Sequence, residues 1–449
     1  MEPLDGTVIT TAVPAMAASF GAAPVDLNIG VSAYLLALGV FIPMSGWIAD
    51  RFGPRLVFAS AVVVFTLASL ACGLANTLPV FVTLRILQGM GGAMMVPVGR
   101  LVVLNNTPKE DLIRAIALLT WPALVAPILG PPVGGLLTTY ASWRWIFYLN
   151  LPLGVIAFVL ALRLVPRTMP AVRRPFDWPG FVLTGAALFA LMWTVEALGE
   201  ANIAWTSVTL AALAGVVCLM AGWWHLGRTK HPLLGLGALK VPTFALTFWG
   251  GSLFRMSIGA VPFLLPLLFQ LGFGLDAFHA GMLVIAVFAG NLMMKPFTTR
   301  ILRRYGFKPV LLVNGLLNAL AIGACALLDP ATPVAVIAAV LFVGGLTRSM
   351  QFTAINTIAF ADVPKEEMSS ANALFSTAFQ LTAGLGIALG AIALRIGERF
   401  GAHMSATQEG AMAPFRVAFA IVALVALASL YDSLRLDPAA GAQVSGRSA

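Results

Sequence analysis

The chain of 449 residues is 59% hydrophobic and only 10% charged, with a mean hydropathy of +0.93. Soluble domains carry about 25% charged residues, so the composition excludes a water-soluble globular protein and indicates a polytopic membrane protein. The net charge of +9 does not mark a nucleic-acid binder, because the basic residues recur in short clusters between apolar runs instead of gathering on one face or tail.

The opening residues are apolar from Gly6 on, but Asp5 stands only four residues from the start. A spanning helix needs about 20 residues, so this stretch reads as the second half of a truncated span 1. The following runs are Ile29–Ala49 (span 2), Leu56–Ala75 (span 3), Val80–Leu104 (span 4), Leu112–Leu137 (span 5) and Trp143–Leu164 (span 6). A basic linker, Pro166–Arg174, leads to Trp178–Leu198 and Val208–Leu226 (spans 7 and 8), and a second, Arg228–Lys240, follows them. Spans 9 to 14 are Phe244–Leu271, Ala277–Phe297, Val310–Leu328, Val334–Ile358, Ser370–Ile396 and Phe415–Leu434. The expected fold is therefore all-α and membrane-integral, with fourteen spans.

The charges test this count. Loops after even-numbered spans hold Arg51 and Arg55; Lys109 and Arg114; Arg167, Arg173 and Arg174; Arg228, Lys230 and Lys240; Arg300, Arg303, Arg304 and Lys308; and Lys365. Loops after odd-numbered spans hold only Arg144, Arg395 and Arg399. Such alternation is the positive-inside pattern, and it predicts both termini of the full-length protein in the cytoplasm. Cys72, Cys218 and Cys325 lie far apart in apolar runs, and the four histidines show no ligand spacing. Neither a disulfide nor a metal site is expected.

Two landmarks recur in order. Arg51-Phe52-Gly53 after span 2 is echoed by Arg304-Tyr305-Gly306 after span 10, and Arg85 to Gln88 in span 4 by Arg348 to Gln351 in span 12. Two related six-span halves are implied, residues 1–165 and 241–435, with an inserted pair at 166–240 and a tail at 436–449 expected to be disordered. Parallel repeats of this kind are a transporter architecture with the substrate site between the halves.

The motifs carry a family resemblance over essentially the whole chain. Gly46-x-x-x-Asp50-Arg51-x-Gly53-x-Arg55 resembles the loop motif of the major facilitator superfamily, and Arg85-x-x-Gln88-Gly89 resembles its span-4 motif. Gly130-Pro131-Pro132-Val133-Gly134-Gly135 is similar to the span-5 motif of its antiporters. Leu4-Asp5-Gly6-Thr7 with Pro14, and Trp143-Arg144-Trp145 with Asn150 and Pro152, resemble the 14-span drug:proton antiporter branch, its MdtD-like members above all. Relative to those members the chain is expected to lack roughly 20 N-terminal residues, about one span's worth.

The resemblance implies a major facilitator fold and a monomeric transport unit in a bacterial inner membrane, exchanging protons for a small-molecule substrate. The proton gradient would serve as energy source, with no cofactor. It assigns proton coupling to Asp5, the one carboxylate within the apolar part of the first half. Gly46, Asp50, Arg51, Gly53 and Arg55 become a cytoplasmic gate, with Asp50 expected near Ser369 and Ser370. The second copy holds Arg303 where the first holds Asp50, so an asymmetric latch is expected, with nothing on the second side matching Asp50. The glycines and prolines of span 5, Pro122 and Pro127 included, predict a kinked, closely packed helix at the seam. Gly386-x-x-x-Gly390 predicts close helix packing in span 13.

Arg85, Arg255 and Arg348 are costly inside a span unless they face water or a partner. Arg255, Arg348 and Gln351 are the candidate cavity residues, and the embedded charge favours a neutral or anionic substrate. An exporter of an anionic metabolite such as an organic acid, with Arg255 or Arg348 as counter-charge, is the second reading. A membrane sensor or scaffold without transport is the third, opposed by the retained gate loop and Asp5. No phosphate loop or nucleophile constellation supports an enzyme.

Overall fold

The structure, a computed structural model, describes residues 1–167, 174–198, 204–401 and 408–445. Arg173 of the first basic linker lies outside them, as do the side chains of Pro122, Pro127 and Pro131. Among the described residues there is no strand, and twelve helices are long and apolar enough to cross a membrane. They are Asn28–Phe52, Pro54–Leu74 and Leu78–Asn106 (spans 2 to 4), Trp145–Leu164 (span 6), Trp178–Leu198 and Trp205–Arg228 (spans 7 and 8). Spans 9 to 14 are Pro242–Gly272, Phe278–Tyr305, Phe307–Leu327, Val334–Ile358, Lys365–Arg399 and Met412–Arg435. Leu112–Tyr140 forms a 29-residue helix in the fifth position. Residues 2–20 occupy the first position as helix Glu2–Val8, a 3-10 turn at Ile9–Thr11 and helix Val13–Phe20.

The helices run past the apolar stretches that define them. Span 2 carries Asp50 and Arg51 in its last turn, and span 10 continues to Tyr305, eight residues beyond the expected Phe297. Arg, Lys and Tyr are adequate helix formers whose stems can lie along apolar surface while their heads reach water, so leaving the bilayer does not end the helix. Each reversal then takes one residue. Gly53 at φ 85° and Gly306 at φ 79° turn the chain directly into spans 3 and 11, in a region of backbone space that L side chains rarely enter.

Spans 1 to 6 and 9 to 14 form two bundles, and spans 7 and 8 pack on each other. Span 7 also packs on span 2 of the first bundle and span 13 of the second, so the inserted pair lies across the seam. Leu210, Leu213, Val217 and Met220 of span 8 are exposed, as a lipid-facing surface requires. The helix ends that bear Arg51, Lys109, Arg228 and Arg303 share one face, termed here the basic face.

The tail departs from expectation. Leu436 and Val444 are buried, and Gly441, at φ 70°, sits against Phe307 at the start of span 11. A short helix, Ala442–Ser445, follows, and Gln443 accepts a bond from Lys109 at 3.4 Å. Two apolar side chains and a turn glycine thus dock residues 437–445 on the basic face across both bundles, instead of leaving them disordered.

The inserted pair is tied down by Asp177, which sequence reasoning passed over. Its carboxylate accepts from His225 Nε2 at 2.8 Å and from the backbone N–H groups of Gly180 at 2.9 Å and Leu233 at 3.1 Å. Burial pushes this carboxyl up, yet those three hydrogen bonds outweigh it and hold it below its ordinary value. A carboxyl depressed on folding contributes stability that is present above its unfolded pKa and lost as pH falls through the folded one. Thermal unfolding of the wild type and Asp177→Asn in detergent is therefore expected to differ at pH 7 and to converge as the pH drops below the usual carboxylate range. A constant gap across that range would exclude ionised Asp177 as the tie.

Candidate functional site

Span 1 is held in the first bundle by a buried polar node. Asp5 Oδ2 pairs with Arg85 Nη1 at 2.6 Å, and Asp5 Oδ1 accepts from Gln88 Nε2 at 2.9 Å and Asn150 Nδ2 at 3.0 Å. Arg85 also donates to Gln88 Oε1 at 2.7 Å and to the Gly30 carbonyl at 3.3 Å, and stacks 4.2 Å over the Tyr34 ring. Asn150 continues the chain to Ser69 at 2.9 Å, and Ser69 donates to the Phe147 carbonyl at 3.0 Å. Asp5, Arg85, Gln88, Ser69 and Asn150 are all buried. A charge so deep is tolerable only when paired and hydrogen-bonded; Asp5 meets that condition at both oxygens, and Arg85 meets it through Nη1 and Nε while its Nη2 is buried without a partner. Gly89 lets spans 2 and 4 close around the node, since a Cβ there would stand 2.6 Å from the Tyr34 carbonyl.

The span-5 motif also serves span 1. A Cβ on Gly130 would lie 2.3 Å from Thr7 Oγ1, and one on Gly134 would lie 2.3 Å from Thr11 Oγ1 and 2.6 Å from the Val8 carbonyl. Gly135 faces open space, with nothing within 4 Å. The glycines pack span 5 inside its own bundle, and another part of the helix meets spans 10 and 12 at the seam.

Asp50 and Ser369, at the start of span 13, line one pocket on the basic face. Ser369 Oγ donates to the Gly46 carbonyl at 3.2 Å, and a Cβ on Gly46 would come within 3.0 Å of the Ser369 carbonyl. Arg51 stacks 5.7 Å from the Trp47 ring, and Arg55 donates to the Leu162 carbonyl. The expected asymmetry of this latch needs correction. Arg303, in the position aligned with Asp50, donates to the Glu110 carbonyl at 2.8 Å and lies 4.0 Å from Asp111, at the start of span 5. Both hinges therefore reach across the seam, one with a carboxylate and the other with a guanidinium. The echo shares geometry and reverses polarity, which an alignment on charge alone hides.

Further bonds between the bundles are Asn372 Nδ2 to the Pro97 carbonyl at 2.8 Å and Lys295 Nζ to Thr120 at 2.8 Å. Every hydrogen bond between the two bundles described above lies toward the basic face. Behind them is a central cavity of about 540 Å³. Arg255 and Arg348 line it, and so do Arg100 and Lys295, which sequence reasoning missed. Glu2 is the one carboxylate among the lining residues. Gln351, expected on the wall, lies elsewhere: it accepts from Asn314 at 3.0 Å and donates to the Leu311 carbonyl at 3.2 Å inside the second bundle. Asp432, an acid of span 14 not counted among the embedded charges, sits beside Gly250 and away from the cavity.

Two bundles that close on one face around a charged central cavity are built to carry a solute across a membrane by exposing that cavity to one side at a time. The class is a membrane transporter. The chain belongs to the major facilitator superfamily, whose family model, Major Facilitator Superfamily, matches residues 1–387 and 247–443. It is 36% identical over 392 residues to the MdtD protein of Serratia proteamaculans, named for multidrug resistance, covering 87% of this chain and 82% of that one. The MdtD protein of an Enterobacter species is 36% identical over 429 residues, covering 95% and 90%. The fold is shared with the proton:xylose symporter XylE (TM-score 0.63, 15% identity, covering 99% of this chain and 94% of that one). It is shared too with the human organic anion transporter MFSD10 (TM-score 0.64, 12% identity, 96% of each). The protein is thus a multi-pass inner-membrane transporter acting on small molecules, not an enzyme.

Proposed function

We propose that this protein is a proton-coupled exporter of small molecules, a drug:proton antiporter in the manner its MdtD relatives are named for, working by alternating access as a monomer. The observation that carries the proposal is the buried Asp5–Arg85 pair at 2.6 Å, shared by spans 1, 4 and 6 through Gln88 and Asn150. Asp5 is the coupling group: protonation removes the charge that holds Arg85, frees the guanidinium and loosens span 1 from its bundle. The basic face is cytoplasmic, and Gly46, Asp50, Arg51, Gly53 and Arg55 form the cytoplasmic gate, closed here with its contacts to Ser369. The bundle division at residues 165 and 241, with the inserted pair between, supplies the two moving bodies. Small-molecule substrate and protons are the partners, within the lipid bilayer, and the proton gradient is the energy source.

The test is substrate-driven collapse of an imposed pH gradient in proteoliposomes. Asn at position 5 keeps the size of the carboxyl but cannot ionise, and it offers one acceptor oxygen where Arg85, Gln88 and Asn150 all donate. Asp5→Asn is therefore expected to bring substrate-driven proton flux down to that of empty vesicles and also to lower the unfolding temperature, because Arg85 loses its counter-charge, so flux is compared in protein shown to be folded. Equal collapse by both proteins would remove Asp5 from the role. Absence of proton flux with every substrate tried would overturn antiport itself.

A further inference from the structure

The central cavity gathers four cationic side chains from both bundles: Arg100 of span 4, Arg255 of span 9, Lys295 of span 10 and Arg348 of span 12. Arg100 and Lys295 are 9% exposed and Arg255 is 3% exposed. Among the described residues none of the four forms an ion pair. Arg255 reaches only hydroxyls, Thr382 at 3.3 Å and Ser252 at 3.1 Å, and Lys295 only Thr120 at 2.8 Å and Thr353 at 3.0 Å. One guanidinium nitrogen each of Arg100 and Arg255 is buried without any hydrogen-bond partner, as one of Arg85 is, but Arg85 has an ion pair and they have none. The remaining support is aromatic: Arg100 stands 5.4 Å and Arg255 4.8 Å from the Phe375 ring. A buried charge lacking its counter-charge is strongly destabilising, which is why such groups pair, coordinate or meet a ligand. Arg85 shows the contrast within the same chain, because that buried cation is given a carboxylate of the protein's own, Asp5. The four cavity cations are left without that provision, against one lining carboxylate, Glu2.

We propose that the central cavity takes a small organic anion bearing at least two acid groups, which bridges Arg100 of the first bundle to Arg255, Lys295 and Arg348 of the second. This inference rests on the transport function proposed above and names its substrate class. Two acid groups follow from the distribution of the cations over both bundles. A single carboxylate carries one negative charge against four unpaired cations, whereas a dianion carries two and can meet cations of both bundles at once. Phe352, Phe379, Met95 and Ile258 line the same space and suit an apolar body between the acid groups. Lys295 gives the anion a mechanical effect, because its bond to Thr120 joins the two bundles. An acid group that draws Lys295 Nζ away exchanges an inter-bundle contact for a contact with the substrate.

The experiment is binding to the purified, detergent-solubilised full chain with one aromatic ring carried through four charges: isophthalate, benzoate, benzamide and benzyltrimethylammonium. Isophthalate is expected to bind roughly tenfold or more tightly than benzoate, as complementary buried charge implies, and the neutral and cationic compounds more weakly still. Arg255→Gln and Lys295→Gln are expected to remove most of the preference for isophthalate over benzoate, and Lys295→Arg to retain it, with thermal unfolding as the check on folding. Equal or tighter binding of the amide or the ammonium would overturn the proposal, and so would an unchanged preference in folded Arg255→Gln and Lys295→Gln. The wild-type series decides the matter even where a variant fails to fold. Proteoliposomes separate this inference from the one beneath it. Proton-coupled export of neutral or cationic compounds without dianion binding sinks the substrate class alone, and dianion transport without proton flux sinks antiport alone.

Discussion

Arg85→Met is expected to destabilise the protein by about 3–5 kcal/mol, the cost of leaving a buried charge without its partner. The loss should fall toward the lower end of that range, because Gln88 and Asn150 still donate to Asp5 at 2.9 and 3.0 Å. The double replacement Asp5→Asn with Arg85→Met removes the stranded carboxylate as well, so it is expected to unfold at a higher temperature than Arg85→Met alone. That inversion, in which two substitutions are milder than one, is the signature of a true ion pair. Thermal unfolding in detergent measures it. Additive losses would mean that Arg85 acts through the Tyr34 ring and the Gly30 carbonyl, and that Asp5 does not depend on it.

The second large effect concerns two glycines outside every motif. A Cβ on Gly290 of span 10 would stand 2.0 Å from the Phe342 carbonyl, and one on Gly345 of span 12 would stand 2.0 Å from the Val287 carbonyl. The contacts are reciprocal and involve backbone, so no side chain can rotate away and the helices themselves must separate. Overpacking of this kind costs about 1–3 kcal/mol, and Gly345→Ala is expected at the upper end or above. It should also cost function, since the close approach of spans 10 and 12 lets Lys295 reach Thr353 at 3.0 Å. The control lies on span 10, the helix of Gly290. Gly281 has nothing within 4 Å of a Cβ, so Gly281→Ala is expected to be neutral or slightly stabilising, in line with the ~1 kcal/mol helix preference of Ala over Gly. Comparable unfolding temperatures for Gly281→Ala and Gly345→Ala would refute the packing account.

Most of the fold was legible because a bilayer imposes long apolar runs, and interruptions by clustered Arg and Lys mark where each run ends. Helix ends were less legible, as at Tyr305, since the helix outlasts its apolar stretch. The Asp5–Arg85–Gln88 node could be suspected from charges placed in greasy surroundings, but its pairing needed the fold to bring positions 5, 85 and 150 together. Arg100 and Lys295 carried the same signal as Arg255, each within the bounds of an expected span. They lie nearer the basic ends of their spans, where a long cationic side chain can also snorkel to the interface, so position alone does not mark them as cavity residues. Asp177 was invisible for the opposite reason, because an acid beside a linker is ordinary until three donors converge on it. Gly386 and Gly390 announced close packing by their spacing, and a Cβ on Gly386 would indeed lie 2.6 Å from the Met256 carbonyl. Gly290 and Gly345 had no such spacing to announce them.

The one-residue reversals at Gly53 and Gly306 bear on how such a molecule can deform. A joint of a single residue, entered and left directly by helical turns, has almost no slack, so the segments that meet at it, Ser45–Phe52 with span 3 and span 10 with span 11, tilt together. Each bundle then behaves as a stiff plate, and an opening at one face has to be matched by a closing at the other. In mechanical terms the inserted pair is the gasket of the device: it rides on spans 2 and 13 and keeps the seam covered while the plates rock.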